Sequence, residues 1–245
     1  MISPSLRSDL APTGTLRVGI NYGNPVLATR DPGSGDLRGV AVDLAHELGV
    51  RTGLPIDLVG YDSAGKMVEA LQAGAWDIAF LAIDPGRAEQ IGFTAPYLEI
   101  EGTYLVPARS QLRAITDIDH QGVRVGISSG SAYDLFLSRS LQHAELVRAP
   151  NPNSAFELIV SGKVDVIAGV KQHLMTNSAK LPGSRVLDGR FMAIQQALGI
   201  PKGRNAGLQY LREFIEDAKA SGLVARAIEK AGISSVSIAP KATIS

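Results

Sequence analysis

The feature that most constrains this chain is a plan run twice. Leu16-Arg-Val-Gly-Ile20 reads as a short buried strand, broken by the turn chemistry of Asn21-Tyr-Gly-Asn-Pro25. Val40, Leu44 and Leu48 then recur at helical spacing, Gly53-Leu-Pro55 stops that helix, and Ile56-Asp-Leu-Val59 supplies a second strand. Met67, Val68 and Leu71 mark another helix face, Gly74 lies past its end, and Trp76 to Ile83 is a strand apolar almost throughout. Val123-Arg-Val-Gly-Ile127 begins again, with a helix from about Ser131 to Leu141, strand Glu145 to Val147, helix Ser154 to Val160 and strand Val164 to Ala168. Each half introduces its last strand with glycine and an acidic residue, Gly74-Ala-Trp-Asp77 and Gly162-Lys-Val-Asp165.

Strands that are apolar on both faces belong to parallel sheets covered by helices. The expectation is therefore an α/β protein of two lobes with a mostly parallel sheet in each. Thr103-Tyr-Leu-Val106 followed by the polar stretch Pro107 to Arg113 suggests a first crossover, and Ala193 to Pro201 reads as a return strand. Asn205 to Ser221 carries Leu208, Leu211, Ile215 and Ala218 on one helical face, and with Val224 and Ile228 of the next helix this face is expected to pack on the first lobe. The chain would then cross twice, through a two-stranded hinge, with residues 1–107 plus 199–245 forming one lobe and 108–198 the other. Two similar lobes imply a cleft, where small ligands bind.

Composition removes several classes of function. Lysine plus arginine and aspartate plus glutamate each total 24, so no global field holds nucleic acid or anionic lipid. With no cysteine, thiol nucleophiles, thiolate metal sites and disulfides are excluded. His46, His120, His143 and His173 lack metal-ligand spacing and read as surface or helix residues; no metal and no cofactor are expected. The apolar runs fall short of the roughly 18 residues of a membrane span. Met1 to Pro12 has no apolar signal core, so either the mature region of an exported protein is present or the protein stays in the cytoplasm.

The ordered set Leu16-Arg-Val-Gly-Ile20, Gly39-Val-Ala-Val-Asp-Leu44, Gly74-Ala-Trp-Asp-Ile78, Arg87-Ala-Glu-Gln-Ile-Gly-Phe93-Thr-Ala-Pro-Tyr97, Val125-Gly-Ile-Ser-Ser-Gly-Ser131 and Gly162-Lys-Val-Asp165 resembles the family 3 solute-binding proteins of amino-acid ABC transporters, with the periplasmic binding protein type II fold. The resemblance covers almost the whole chain. It implies that Arg87 grips a ligand carboxylate, for which a planar guanidinium with two parallel donors is suited; a structural ion pair with Glu89 or Asp84 is the alternative. Ser128, Ser129, Ser131, Ala132 and Tyr133 lie between strand and helix in the second half, where N–H groups and hydroxyls could complete an anion site. Ser131 serves equally as an ordinary N-cap.

Departures from the family pattern bear on the ligand. Val170 stands where an acidic residue commonly pairs with an α-ammonium, Asn24 replaces a cushioning aromatic, a second aromatic position falls near Ala64, and Ala82 replaces a threonine. The pocket is expected to be polar at Asn21 and Asn24, with no strong cation site. Asp84 either contacts a displaced ammonium, caps the turn at Pro85-Gly86 or pairs with Arg87. Tyr22 and Tyr133 offer a ring and a hydroxyl or pack elsewhere; Lys171, Gln172 and His173 could line the second half's face; Trp76 reads as core packing.

The resemblance implies a monomeric, periplasmic, non-enzymatic binder that closes on a small carboxylate and docks on a membrane permease. A cytoplasmic or receptor-type ligand sensor is a second reading. A cyclohexadienyl-dehydratase-like lyase is a third, set back by Val170, because such chemistry needs a general acid or base.

Overall fold

The computed structural model describes residues 2–242 and separates into two compact units. Unit 1 comprises Met1–Asp62, Lys66–Glu99 and Gln195–Ser245, and unit 2 comprises Ser63–Gly65 and Ile100–Ile194. In chain order the elements are α1 (Pro4–Leu10), β1 (Leu16–Asn21), the short strands β2 (Thr29–Arg30) and β3 (Leu37–Arg38), α2 (Val40–Thr52), β4 (Ile56–Tyr61), α3 (Ala64–Glu69), β5 (Ile78–Ala82), a 3-10 turn at Arg87–Glu89, β6 (Ile91–Phe93) and β7 (Leu98–Val106). Next come a second 3-10 turn at Ile115–Asp117, β8 (Arg124–Ser128), α4 (Ala132–Ser140), β9 (Glu145–Ala149), α5 (Pro152–Val160), β10 (Val166–Val170), α6 (Lys171–Ser178) and β11 (Arg185–Val186). The return consists of β12 (Met192–Pro201), α7 (Asn205–Ala220), α8 (Leu223–Lys230) and β13 (Ser237–Ile238).

In unit 1, β1 pairs in parallel with β4 and β5, and β12 runs antiparallel to β5 and β6. In unit 2, β8 pairs in parallel with β9 and β10, and β7 runs antiparallel to β10 and β11. Strands β5 and β10 are buried at every position, the pattern of strands covered on both faces. Helix α2 ends where Gly53 turns left-handed at φ 68° and donates its N–H to the Gly49 carbonyl. One side of α7 buries Leu211, Phe214, Ile215 and Ala218, and α7 packs on α1 while α8 packs on α2, all within unit 1. Trp76 is fully buried, and its Nε1–H donates to the Met67 carbonyl at 2.8 Å.

The repeated plan has a repeated fastening. In unit 1, Arg17 donates its backbone N–H and Nε–H to Asp77 Oδ2 at 3.1 and 2.9 Å and its Nη2 to Oδ1 at 2.8 Å. In unit 2, Arg124 makes the same three bonds to Asp165, at 2.9, 3.0 and 2.9 Å. Each carboxylate thereby ties the loop entering one strand to the start of its neighbour.

Two features depart from the sequence reading. The opening stretch forms helix α1, whose Ser3 hydroxyl caps the Leu6 N–H and whose Asp9 carboxylate accepts the Gly207 N–H of α7 at 3.0 Å. Only Leu10 of that helix is buried, so no apolar periodicity announces it. The long passage into unit 2 falls between Glu99 and Ile100, inside β7, and the stretch Pro107 to Arg113 lies within unit 2. An unbroken strand carries no turn residues to mark it.

Candidate functional site

In unit 1, Asn21 closes β1, and its Oδ1 accepts the Gly23 N–H at 3.0 Å; Asn24 Oδ1 likewise accepts the Val26 N–H at 3.1 Å. Both are Asx turns, which use the amide oxygen and leave the amide NH2 as each side chain's other polar group. Gly23 is required here, because a β-carbon would stand 2.0 Å from the Asp62 carbonyl oxygen. Tyr22 turns toward Arg30, whose guanidinium lies 5.3 Å from the ring centre with Nη1 3.5 Å from the hydroxyl.

The end of β5 and the following 3-10 turn bring Ala82, Asp84 and Arg87 together. The Asp84 carboxylate accepts the Gly86 N–H at 2.9 Å, and its carbonyl accepts the Ala88 N–H at 2.9 Å, which shapes the turn. Arg87 is 5% exposed and donates Nη1 to the Ala82 carbonyl at 2.9 Å. Burial pushes this guanidinium down to about 10, opposed by the charge of Asp84. It remains a cation at neutral pH, held out of water, with the Asp84 charge acting on it.

In unit 2, Ser128 ends β8 and Ser131 caps α4, accepting the Asp134 N–H at 3.0 Å. The Asp134 carboxylate accepts the Gly130 N–H at 2.8 Å and is gripped by Arg148 at 2.9 Å. Ser129 N–H donates to the Ala149 carbonyl, and Ser131 N–H to the Ser128 carbonyl. The donors of Ser129, Gly130 and Ser131 are thus occupied within the unit. Ser129 is exposed, Ala132 and Tyr133 are buried, and burial pushes the Tyr133 phenol up to about 12, against the opposing hydroxyls of Ser131 and Ser128. Val170 ends β10 and precedes α6 without a side-chain cap. Lys171 is engaged by Glu101 at 2.6 Å. His173 is driven toward its neutral form by burial first and by Lys180 second, with the Pro152 carbonyl opposing.

Sequence reasoning missed Gln196. This residue of β12 is 3% exposed and sits directly across from Ala82 in the β5–β12 register. The sequence offered two adjacent glutamines in this strand, Gln195 and Gln196, and only the structure shows that the second is the buried one. Among the described residues no group of histidine, aspartate and glutamate could hold a metal ion, and no helix is long and apolar enough to cross a membrane. A pocket of about 350 Å³ in unit 1, lined by Gly92, Ile200, Arg204 and Arg212 among others, contains none of the candidate residues.

Two α/β units linked through β7 and β12, each with parallel strands and an antiparallel partner, define the two-lobe periplasmic binding protein class. Consistent with that class, a solute receptor for L-cysteine from Neisseria gonorrhoeae superposes with a TM-score of 0.80 at 21% identity, covering 94% of this chain and 93% of the receptor. The sequence profile of the bacterial extracellular solute-binding proteins, family 3, matches residues 16–232, and the chain belongs to this family. ABC transporter arginine-binding protein 1 of Escherichia coli K12 is 22% identical over 215 residues, covering 83% of this chain and 86% of that protein. The virulence sensor protein BvgS of Bordetella pertussis is 28% identical over 131 residues, 53% of this chain; that match spans only 10% of the sensor's length.

Proposed function

We propose that this chain is a solute-binding protein that captures a small carboxylate-bearing molecule, amino-acid-like or an organic acid, for uptake through an ABC transporter. The observation that carries the reading is Arg87: a cation withdrawn from water at the end of β5, in the place where the family resemblance puts the carboxylate anchor. Charge-assisted hydrogen bonds contribute roughly 1.5 to 3 kcal/mol each. Two or three of them support micromolar binding, about 8 kcal/mol, after the losses of association. Asn21, Asn24, Asp84 and Gln196 in unit 1 supply neutral and acidic polar groups. In unit 2, Tyr133 and the hydroxyls of Ser128 and Ser131 are the candidate contacts, since the neighbouring loop N–H groups are already used. Val170 offers no charge to an ammonium and no proton to a reaction, which favours binding over catalysis. The protein acts as a monomer outside the cytoplasmic membrane, delivering its ligand to a permease.

Calorimetry against small acids tests the anchor. Arg87→Ala should weaken carboxylate binding at least tenfold, about 1.4 kcal/mol or more, with the circular dichroism spectrum unchanged; equal affinity in the variant would sink the assignment. The transport role is read by ligand-dependent stimulation of a permease ATPase in proteoliposomes. The partial match to BvgS favours a ligand-sensing module as the second reading. That reading gains if the loaded protein leaves permease turnover unchanged.

A further inference from the structure

We infer that Gln196 is a specificity-determining residue, and that its carboxamide selects carboxylates bearing a neutral hydrogen-bonding group, a hydroxyl or a carboxamide, over plain aliphatic acids. The inference rests on Arg87 being the carboxylate anchor. Strand register supplies the geometry: Gln196 and Ala82 are cross-strand partners in β12 and β5, and the Ala82 carbonyl receives Arg87 Nη1 at 2.9 Å. Directly opposed residues of an antiparallel pair put their side chains on the same face, with β-carbons about 4.5–5.5 Å apart. The Gln196 amide therefore rises beside the small side chain of Ala82.

Its oxygen is also unspent. Gln196 Oε1 is buried, and among the described residues no group donates to it. Buried carbonyl oxygens are almost always satisfied, and leaving one bare costs about 1–3 kcal/mol. The Asn21 and Asn24 oxygens show the contrast, since both are consumed by turns. Beside Gln196 the Tyr97 N–H donates to its backbone carbonyl at 2.8 Å, and the Tyr97 hydroxyl is a second enclosed polar atom with no hydrogen-bond partner. An amide presents an acceptor and two donors without charge. It is thus matched to a hydroxyl or another amide, which both give and receive, better than to an ammonium, for which Val170 likewise provides no partner.

The test uses the full-length chain and three probes of equal backbone length, pentanoate, glutaramate and glutamine, titrated by calorimetry into wild type, Gln196→Leu, Gln196→Met and Arg87→Ala. Wild type should prefer glutaramate over pentanoate by at least tenfold, and both Gln196 variants should reduce that ratio at least fivefold. Arg87→Ala should weaken binding of all three probes at least tenfold. If glutaramate and pentanoate bind alike, or if the ratio survives in Gln196→Met, the amide holds only internal water and the inference falls while the anchor stands. If wild type takes none of the probes, or Arg87→Ala binds them as wild type does, the anchor and this inference fall together. Should Gln196→Leu melt more than a few degrees low, Gln196→Met, which keeps the length and flexibility of the side chain, decides.

Discussion

Asp77 receives from Arg17, 60 residues earlier, both a main-chain N–H and a two-pronged guanidinium, and a second cation, Arg204 Nη1, reaches the same carboxylate at 3.3 Å. Asp77 is fully buried, whereas its counterpart Asp165 keeps 40% of its side chain exposed. Geometry is shared between the two fastenings, and burial separates them.

That difference predicts unequal mutational costs. Asp77→Ala should destabilise the protein by about 3–5 kcal/mol, the range for breaking a buried ion pair, and Asp165→Ala by about 1 kcal/mol, as solvent screens an exposed one. Urea melts followed separately by probes in each unit measure both. Equal losses would show that burial does not set the strength of these pairs.

Acid should act on the same pair in a defined direction. The Arg124 guanidinium holds the Asp165 carboxyl below the usual carboxylate range, with burial opposing. A depressed folded pKa gives stability that is complete above the unfolded value, about 3.9, and is lost as pH falls through the folded value. Asp165→Asn should therefore be less stable than wild type at pH 6, and the gap should narrow at pH 3, below the unfolded value of about 3.9. Chemical melts at the two pH values decide it, and an unchanged gap would refute the linkage.

Ser131 is a cap before it is anything else. Ser131→Ala should cost about 1 kcal/mol of stability through the lost bond to the Asp134 N–H. Thermal melts report that loss. A larger drop in ligand affinity than in stability would add a direct ligand contact; a melt unchanged from wild type would remove the cap.

Val170 is the position to restore. Val170→Asp should raise affinity for α-amino acids relative to the matching acids without the amine by at least tenfold, and should also cap α6, which has no side-chain cap now. Val170→Asn, a neutral cap, separates the two effects, because it should match the gain in stability without the gain in selectivity. A thermal-shift screen in which wild type already favours ordinary amino acids would overturn the reading of this position.

Much of the fold was legible. Gly53, the apolar strands around Phe80 and Ile167, and the Ser131 cap each announced an element by a local rule, whereas the helix expected to run up to Gly74 closes at Glu69. The Arg–Asp fastenings were not, since nothing local in Arg17 or Arg124 reports an aspartate far along the chain. The site was legible in part: Ala82, Asp84 and Arg87 lie on one turn and are read together, whereas Gln196 joins them only through the β5–β12 register. Hydrogen bonding was the least visible layer. Asn21, Asn24 and the loop before α4 have suitable residue types, yet the turns use the amide oxygens, and Ala149, Asp134 and Ser128 use the loop's N–H groups.

Because β7 and β12 each run across a unit boundary, unit 2 is, apart from Ser63–Gly65, one uninterrupted stretch set inside unit 1. On the ribosome, domains form as their residues emerge. The enclosed unit is made as far as Ile194 before the unit 1 part of β12 begins at Gln195, while β5 waits for that part of the strand as its antiparallel neighbour. Synthesis thus completes the inner unit first, and the unit that holds Arg87 gains its last strands and helices only after it.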